Sequence, residues 1–195
     1  LLKLYPYGFV SHREDARSYD PNAQILRERT RSRVPVLFAD WLVQASAVPP
    51  LYHDILRLPE TSAGFLDLFG VDRFHNIETV QVTRAGFDGT ASGVSGNNRI
   101  IDRHDSTTGY CWVSYDFAEE EDATKNIFLS PLDFAPDGGE LICSLPNGLQ
   151  AYLLEDVEGE RLDVGPVEVV QDPDSETGEV INGLSCMRCH YEGII

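Results

Sequence analysis

The chain has 195 residues, 42% of them hydrophobic and 24% charged, enough for one domain with a buried core; no run approaches the roughly 18 to 20 consecutive apolar residues of a membrane-spanning helix. The net charge of −17 is unevenly placed: residues 1–100 carry 11 basic and 11 acidic side chains, residues 101–180 only 3 basic and 20 acidic. An acidic half of this kind disfavours nucleic acid as a partner and suits either a solvated surface or a face that steers a basic protein.

Leu1 is not a methionine and no export signal precedes it, so the chain reads as a processed or partial product. Arg27, Arg29, Arg31 and Arg33 make a short basic run, expected as an exposed loop. From Val34 to Ala47 the residues Val34, Leu37, Phe38, Trp41, Leu42 and Ala45 recur at helical spacing, with Pro35 suited to a first turn. Pro49-Pro50 closes that helix, Leu51–Leu56 predicts a second, and Thr61 or Ser62 can cap a third that carries Phe65, Leu66, Leu68 and Phe69. Gly89, Gly93, Gly96 and Asn97-Asn98 then predict a loop. A phosphate-cradling role for it is disfavoured by the absence of the P-loop lysine. Strands are expected at Tyr110–Phe117, Glu140–Leu145, Leu149–Leu154 and Arg161–Val170, with Pro146-Asn147-Gly148 as the clearest hairpin turn. The expected class is α+β, with a mainly helical N-terminal half and an antiparallel β-rich C-terminal half. Residues 1–33 read as an N-terminal extension to a single domain over 34–195.

Chemistry concentrates at Cys186-Met187-Arg188-Cys189-His190. Two thiols separated by two residues leave one helical turn on the same side, and a histidine directly after the second projects its imidazole from that side. This is the order required for covalent attachment of haem c, with thioethers to Cys186 and Cys189 and His190 as proximal iron ligand. A zinc site would need a second ligand pair, and a thioredoxin-like pair would need a βαβ setting; neither is evident. The motif implies one covalent haem and maturation outside the cytoplasm, in a periplasmic or extracellular, oxidising compartment.

The sixth ligand is open. Met187, the only methionine, lies between the two cysteines on the backbone that carries His190 and cannot reach the opposite face. His104 is the first distal candidate, because Arg99 and Arg103 beside it can pair with haem propionates; His12, His53 and His75 are others. Cys111 and Cys143 fall in expected strands and can form a disulfide if their Cα atoms lie within about 7 Å, or stay as buried thiols. Asp172-Pro173-Asp174-Ser175-Glu176-Thr177-Gly178 superficially suggests a calcium loop, but its glycine is one residue late and the closing glutamate is missing, so an acidic turn is expected.

From about Val34 to Gly193 the chain resembles a cytochrome c-like domain of large secreted bacterial proteins. The resemblance rests on Ala39-Asp40-Trp41, Pro50-Leu51-Tyr52-His53, the run from Ser92 to Arg99, Trp112 with Ser114-Tyr115-Asp116-Phe117, the run from Leu145 to Gln150, and the run from Gly183 to His190. It implies a haem and a secreted context, but no reaction. The expectation is a monohaem c-type cytochrome that transfers single electrons, alone or as a subunit of a larger complex, with a basic redox partner met through residues 101–180. The alternatives are a haem enzyme or gas sensor with an open distal site, lined by Tyr110, Trp112, Tyr115 or His104, and a structural haem subunit of a respiratory or photosynthetic assembly.

Overall fold

A computed structural model describes residues 39–194 together with residues 24, 25, 28, 29 and 31. Arg27, Arg33, His12 and the stretch 34–38 of the expected first helix lie outside the described residues. The chain divides into two units, Leu1–Ser46 and Ala47–Ile195. In the first, helix α1 spans Ala39–Ser46, inside the expected helix.

The second unit is mixed α+β, and its sheet is wholly antiparallel. Helix α2 (Leu51–Leu56) ends on Arg57 in the left-handed region, and α3 (Ser62–Leu68) is capped by Thr61, whose hydroxyl accepts the Gly64 N–H at 3.2 Å. Helix α4 (Arg73–Glu78) is capped by Asp72, which accepts from the His75 N–H at 3.0 Å. Six strands come next, paired in the order of the chain: β1 (Val82–Phe87), β2 (Arg99–Ser106), β3 (Gly109–Asp116), β4 (Gly139–Ser144), β5 (Gln150–Glu155) and β6 (Arg161–Leu162). A separate ribbon pairs β7 (Val164–Gly165) with β8 (Val180–Ile181), and α5 (Leu184–Cys189) closes the described chain.

Strand alternation gives this sheet two different faces. One carries Cys111, Val113, Leu141, Cys143, Ala151 and Leu153, buried with Tyr52, Phe65, Leu66 and Phe69 of α2 and α3 and their flanks. The opposite face is the floor of a cavity.

The helix-then-strand division is corrected in part. Strands β1 and β2 both begin before residue 100, inside the half expected to be helical, and α4 lies outside the expected helices. β2 escapes a pattern search because its buried face holds Ile100, Asp102 and His104. Two of those three are polar, so alternation there does not follow hydrophobicity. The Asp102 charge is met inside the fold: Arg84 of β1 donates to both of its oxygens at 2.6 and 2.7 Å. The long strand expected over Arg161–Val170 is two pieces of two residues, because the chain leaves the main sheet at Asp163 and pairs with β8 instead.

Candidate functional site

The sheet floor is a grid read from strand register. One row runs Ala85, Ile101, Ser114, Glu140, Leu154, Leu162 across β1 to β6. A second runs Thr83, Arg103, Trp112, Ile142, Tyr152, and a third Phe87, Arg99, Asp116. The segments Gly165–Asp172 and Ser185–Ile194 roof this floor and enclose a cavity of about 560 Å³ whose walls include Cys186, Cys189 and His190. That volume lies inside the range of about 300 to 1,000 Å³ common for cofactor and ligand sites.

The motif helix enters the cavity through a forced turn. Gly183 has φ of 88°, and a Cβ there would stand 2.6 Å from the Ala47 carbonyl oxygen and 2.9 Å from the Tyr52 ring, so only glycine fits. Helix α5 then begins: the Met187 N–H donates to the Gly183 carbonyl at 2.8 Å, and the His190 N–H to the Cys186 carbonyl at 2.8 Å. Cys186 is buried and Cys189 exposed. The outer face of the helix is tied down by Asp172, whose buried carboxylate pairs with Arg188. Burial alone would raise that carboxyl, but hydrogen bonds from Ser185 and Arg188 outweigh it and hold it below the ordinary value.

His190 stands between two floor residues. Its ring stacks on Tyr152 at a centroid distance of 6.2 Å and 21° between planes, and its Nε2 is 3.9 Å from Glu140 Oε2. Tyr152 is itself held, its hydroxyl donating to Gln150 Oε1 at 2.9 Å. Glu140 also hydrogen-bonds Cys186; burial pushes its carboxyl up, against the pull of that bond and of His190 and Arg99. Burial likewise pushes the Cys186 thiol well up, and Glu140 adds to it. A redox-active pair of the thioredoxin kind needs a cysteine held below its ordinary value, which is the opposite environment.

Of the residues singled out in the sequence, Cys186, Cys189, His190, Arg99, Arg103 and Trp112 meet at this cavity. His104 does not, because a strand sends neighbouring side chains to opposite faces. Arg103 lies on the cavity floor, whereas His104 is buried on the helix side, with Asn76 Nδ2 3.2 Å from its Nδ1. His53 is also engaged elsewhere, its Nε2 3.0 Å from Asn182 Nδ2. His75 is exposed on α4. Cys111 and Cys143 are cross-strand partners with Cα atoms 4.1 Å apart, and they form a disulfide. The Asp172 to Gly178 stretch closes on itself through the Asp172 N–H to the Gly178 carbonyl at 2.9 Å. Among the described residues no three His, Cys, Asp or Glu side chains form a metal-binding group.

Glu140 and Tyr152 join the site without any motif to mark them, and Asp116 is marked only within the run Ser114-Tyr115-Asp116-Phe117. Their shared sequence signal is position: each falls at alternate sites of a strand whose other face is core, and the pairing that unites them depends on register. The walls suit a flat apolar cofactor: Ile101, Trp112, Ile142, Leu154, Val169 and Val170 supply apolar surface, and both thiols and the imidazole open onto the same space. Arg99 and Arg103 line it too, as do the carboxylates of Asp116, Glu140, Glu155 and Asp172, of which all but Glu140 are paired with an arginine. No family model, curated protein or solved structure matches the chain. No helix among the described residues is long and apolar enough to cross a membrane.

Proposed function

We propose that this chain binds one haem c covalently through Cys186 and Cys189, with His190 as the proximal iron ligand, and serves one-electron transfer. The observation that carries the reading is convergence: both thiols and the imidazole line one apolar-walled cavity of about 560 Å³. When bound, the porphyrin iron supplies reversible one-electron chemistry. The chain's own part is to hold and shield. Gly183 and the Asp172–Arg188 pair fix the motif helix, Tyr152 backs the His190 ring, and the apolar side chains of the cavity walls limit the access of water.

The Cys111–Cys143 disulfide supports export to an oxidising compartment, periplasmic or extracellular. The acidic surface of residues 101–180 supports a basic redox partner, and the resemblance to cytochrome c-like domains of secreted bacterial proteins agrees with this. Mass spectrometry of the protein made in a host competent for c-type maturation tests the reading. The expected result is a haem-sized covalent addition, lost in Cys186→Ala/Cys189→Ala; an unmodified wild-type mass overturns it.

A second reading, a haem enzyme or gas sensor, is favoured by the burial of His104 on the other sheet face. Carbon monoxide separates the two. A low-spin spectrum indifferent to the gas supports the carrier, and rapid binding supports the open site.

A further inference from the structure

Resting on the haem reading, we infer that Arg99, rather than Arg103, is the anchor in this cavity for a carboxylate, and that the carboxylate is a haem propionate. Both arginines project from β2 onto the cavity floor, four residues apart on the same face. Their guanidinium groups are in different states.

Arg103 is already engaged. Its guanidinium carbon lies 3.4 Å from the centre of the Tyr110 ring and 5.8 Å from that of Trp112, with Asp105 3.7 Å from Nη1. It is a covered cation at the exposed end of the strand, where Tyr110 is 44% exposed.

Arg99 is held by one end only. Its Nε donates to Asp116 Oδ1 at 2.5 Å, and among the described residues neither Nη makes a hydrogen bond. Asp116 is buried and fixed in turn: the Ser114 hydroxyl donates to its other oxygen at 2.8 Å, and that hydroxyl accepts the Glu140 N–H at 2.9 Å. The guanidinium therefore cannot swing away, and its side chain is only 12% exposed. Arg99 lines the cavity with accessible Nη groups, and the Glu140 carboxylate also acts on its guanidinium. A forked pair of N–H donors with fixed direction is the geometry that binds a carboxylate through both oxygens.

The position suits a group carried by the porphyrin. Arg99 lies on β2 and Glu140, beside His190, on β4, so two strand spacings of about 4.8 Å separate them across the floor. A planar cofactor attached at Cys186 and Cys189 would lie in the cavity that Arg99 also lines.

The test uses the haem-loaded protein, with the covalent adduct first verified by mass. Absence of the adduct in the wild type overturns the haem reading itself, and the mass alone reveals that failure before any potential is measured. With the adduct present, Arg99→Gln is expected to lower the midpoint potential, because a cation that offsets the propionate is lost, and Arg103→Gln, which removes a cation held on Tyr110, is expected to lower it less. Equal shifts, a larger shift for Arg103→Gln, or none for Arg99→Gln would overturn the assignment. Should Arg99→Gln fail to fold because Asp116 is left unpaired, the Arg99→Gln/Asp116→Asn double variant is compared with Asp116→Asn alone and held to the same criteria. Acetate added to the wild-type protein identifies the source of the carboxylate. Arg99 side-chain NMR signals are expected to stay fixed; a saturable shift means the site is open to free carboxylates and refutes the propionate.

Discussion

The Tyr52 hydroxyl takes the place of a missing strand partner for Tyr152: it accepts the Tyr152 N–H at 2.8 Å and donates to the Tyr152 carbonyl at 3.3 Å. Strand β6 pairs with β5 only at Leu154 and Glu155, so the edge at Tyr152 would otherwise be bare and buried. Tyr52→Phe removes one oxygen and strands two backbone groups, for an expected loss of about 1 to 3 kcal/mol. Urea denaturation of the two proteins measures it. Because Tyr152 backs His190, the same variant is expected to shift the ring resonances of His190 in NMR spectra.

Two arginine–aspartate pairs anchored on β2 differ in kind. Arg84 pairs with Asp102, which is fully buried, whereas the Arg103 partner Asp105 is 87% exposed. Arg84→Ala leaves an uncompensated buried carboxylate and is expected to cost about 3 to 5 kcal/mol. Asp105→Ala removes a surface contact worth less than about 1 kcal/mol. Chemical denaturation of both variants checks the contrast, and comparable losses would contradict the burial of Asp102.

His104 makes stability depend on pH. Burial holds its imidazole below the ordinary value, Asp102 pulls the other way, and Arg73 and Arg84 add to the lowering. The unfolded chain therefore binds a proton that the folded protein refuses, and stability falls as pH drops below about 6.5. His53, also lowered by burial, contributes with the same sign, and Glu140, raised by burial, with the opposite sign. Melting temperatures taken between pH 7.5 and 5.5 are expected to fall less steeply in His104→Gln than in the wild type. Parallel slopes would sink the assignment to His104.

The Cys111–Cys143 disulfide spans 32 residues and both cysteines are fully buried. Chain-entropy reasoning for a loop of that length gives a contribution of about 3 to 4 kcal/mol. Replacing both with serine adds two buried hydroxyls, so alanine is the cleaner substitution. Equilibrium unfolding of Cys111→Ala/Cys143→Ala is expected to show a loss of about that size. Intact wild-type protein should resist reductant until it unfolds.

What the letters determined by themselves were the features that need only short spacing. The order Cys186, Cys189, His190 is set within one turn of backbone, and the Thr61 cap and the apolar positions of α3 are likewise local. The core strands β3, β4 and β5 announce themselves because one face of each is apolar. The cavity could not be read in this way, since its floor joins residues as distant as Thr83, Arg103, Trp112, Ile142 and Tyr152 through strand register. Register also separated Arg103 from His104, neighbours in sequence that period-two alternation sends to opposite faces. β2 stayed hidden because Asp102 and His104 occupy its buried side, and only the tertiary arrival of Arg84 and Asn76 makes that burial tolerable. Covalent spacing is local, whereas the charge compensation that permits a polar strand in a core depends on which distant side chain the fold brings alongside.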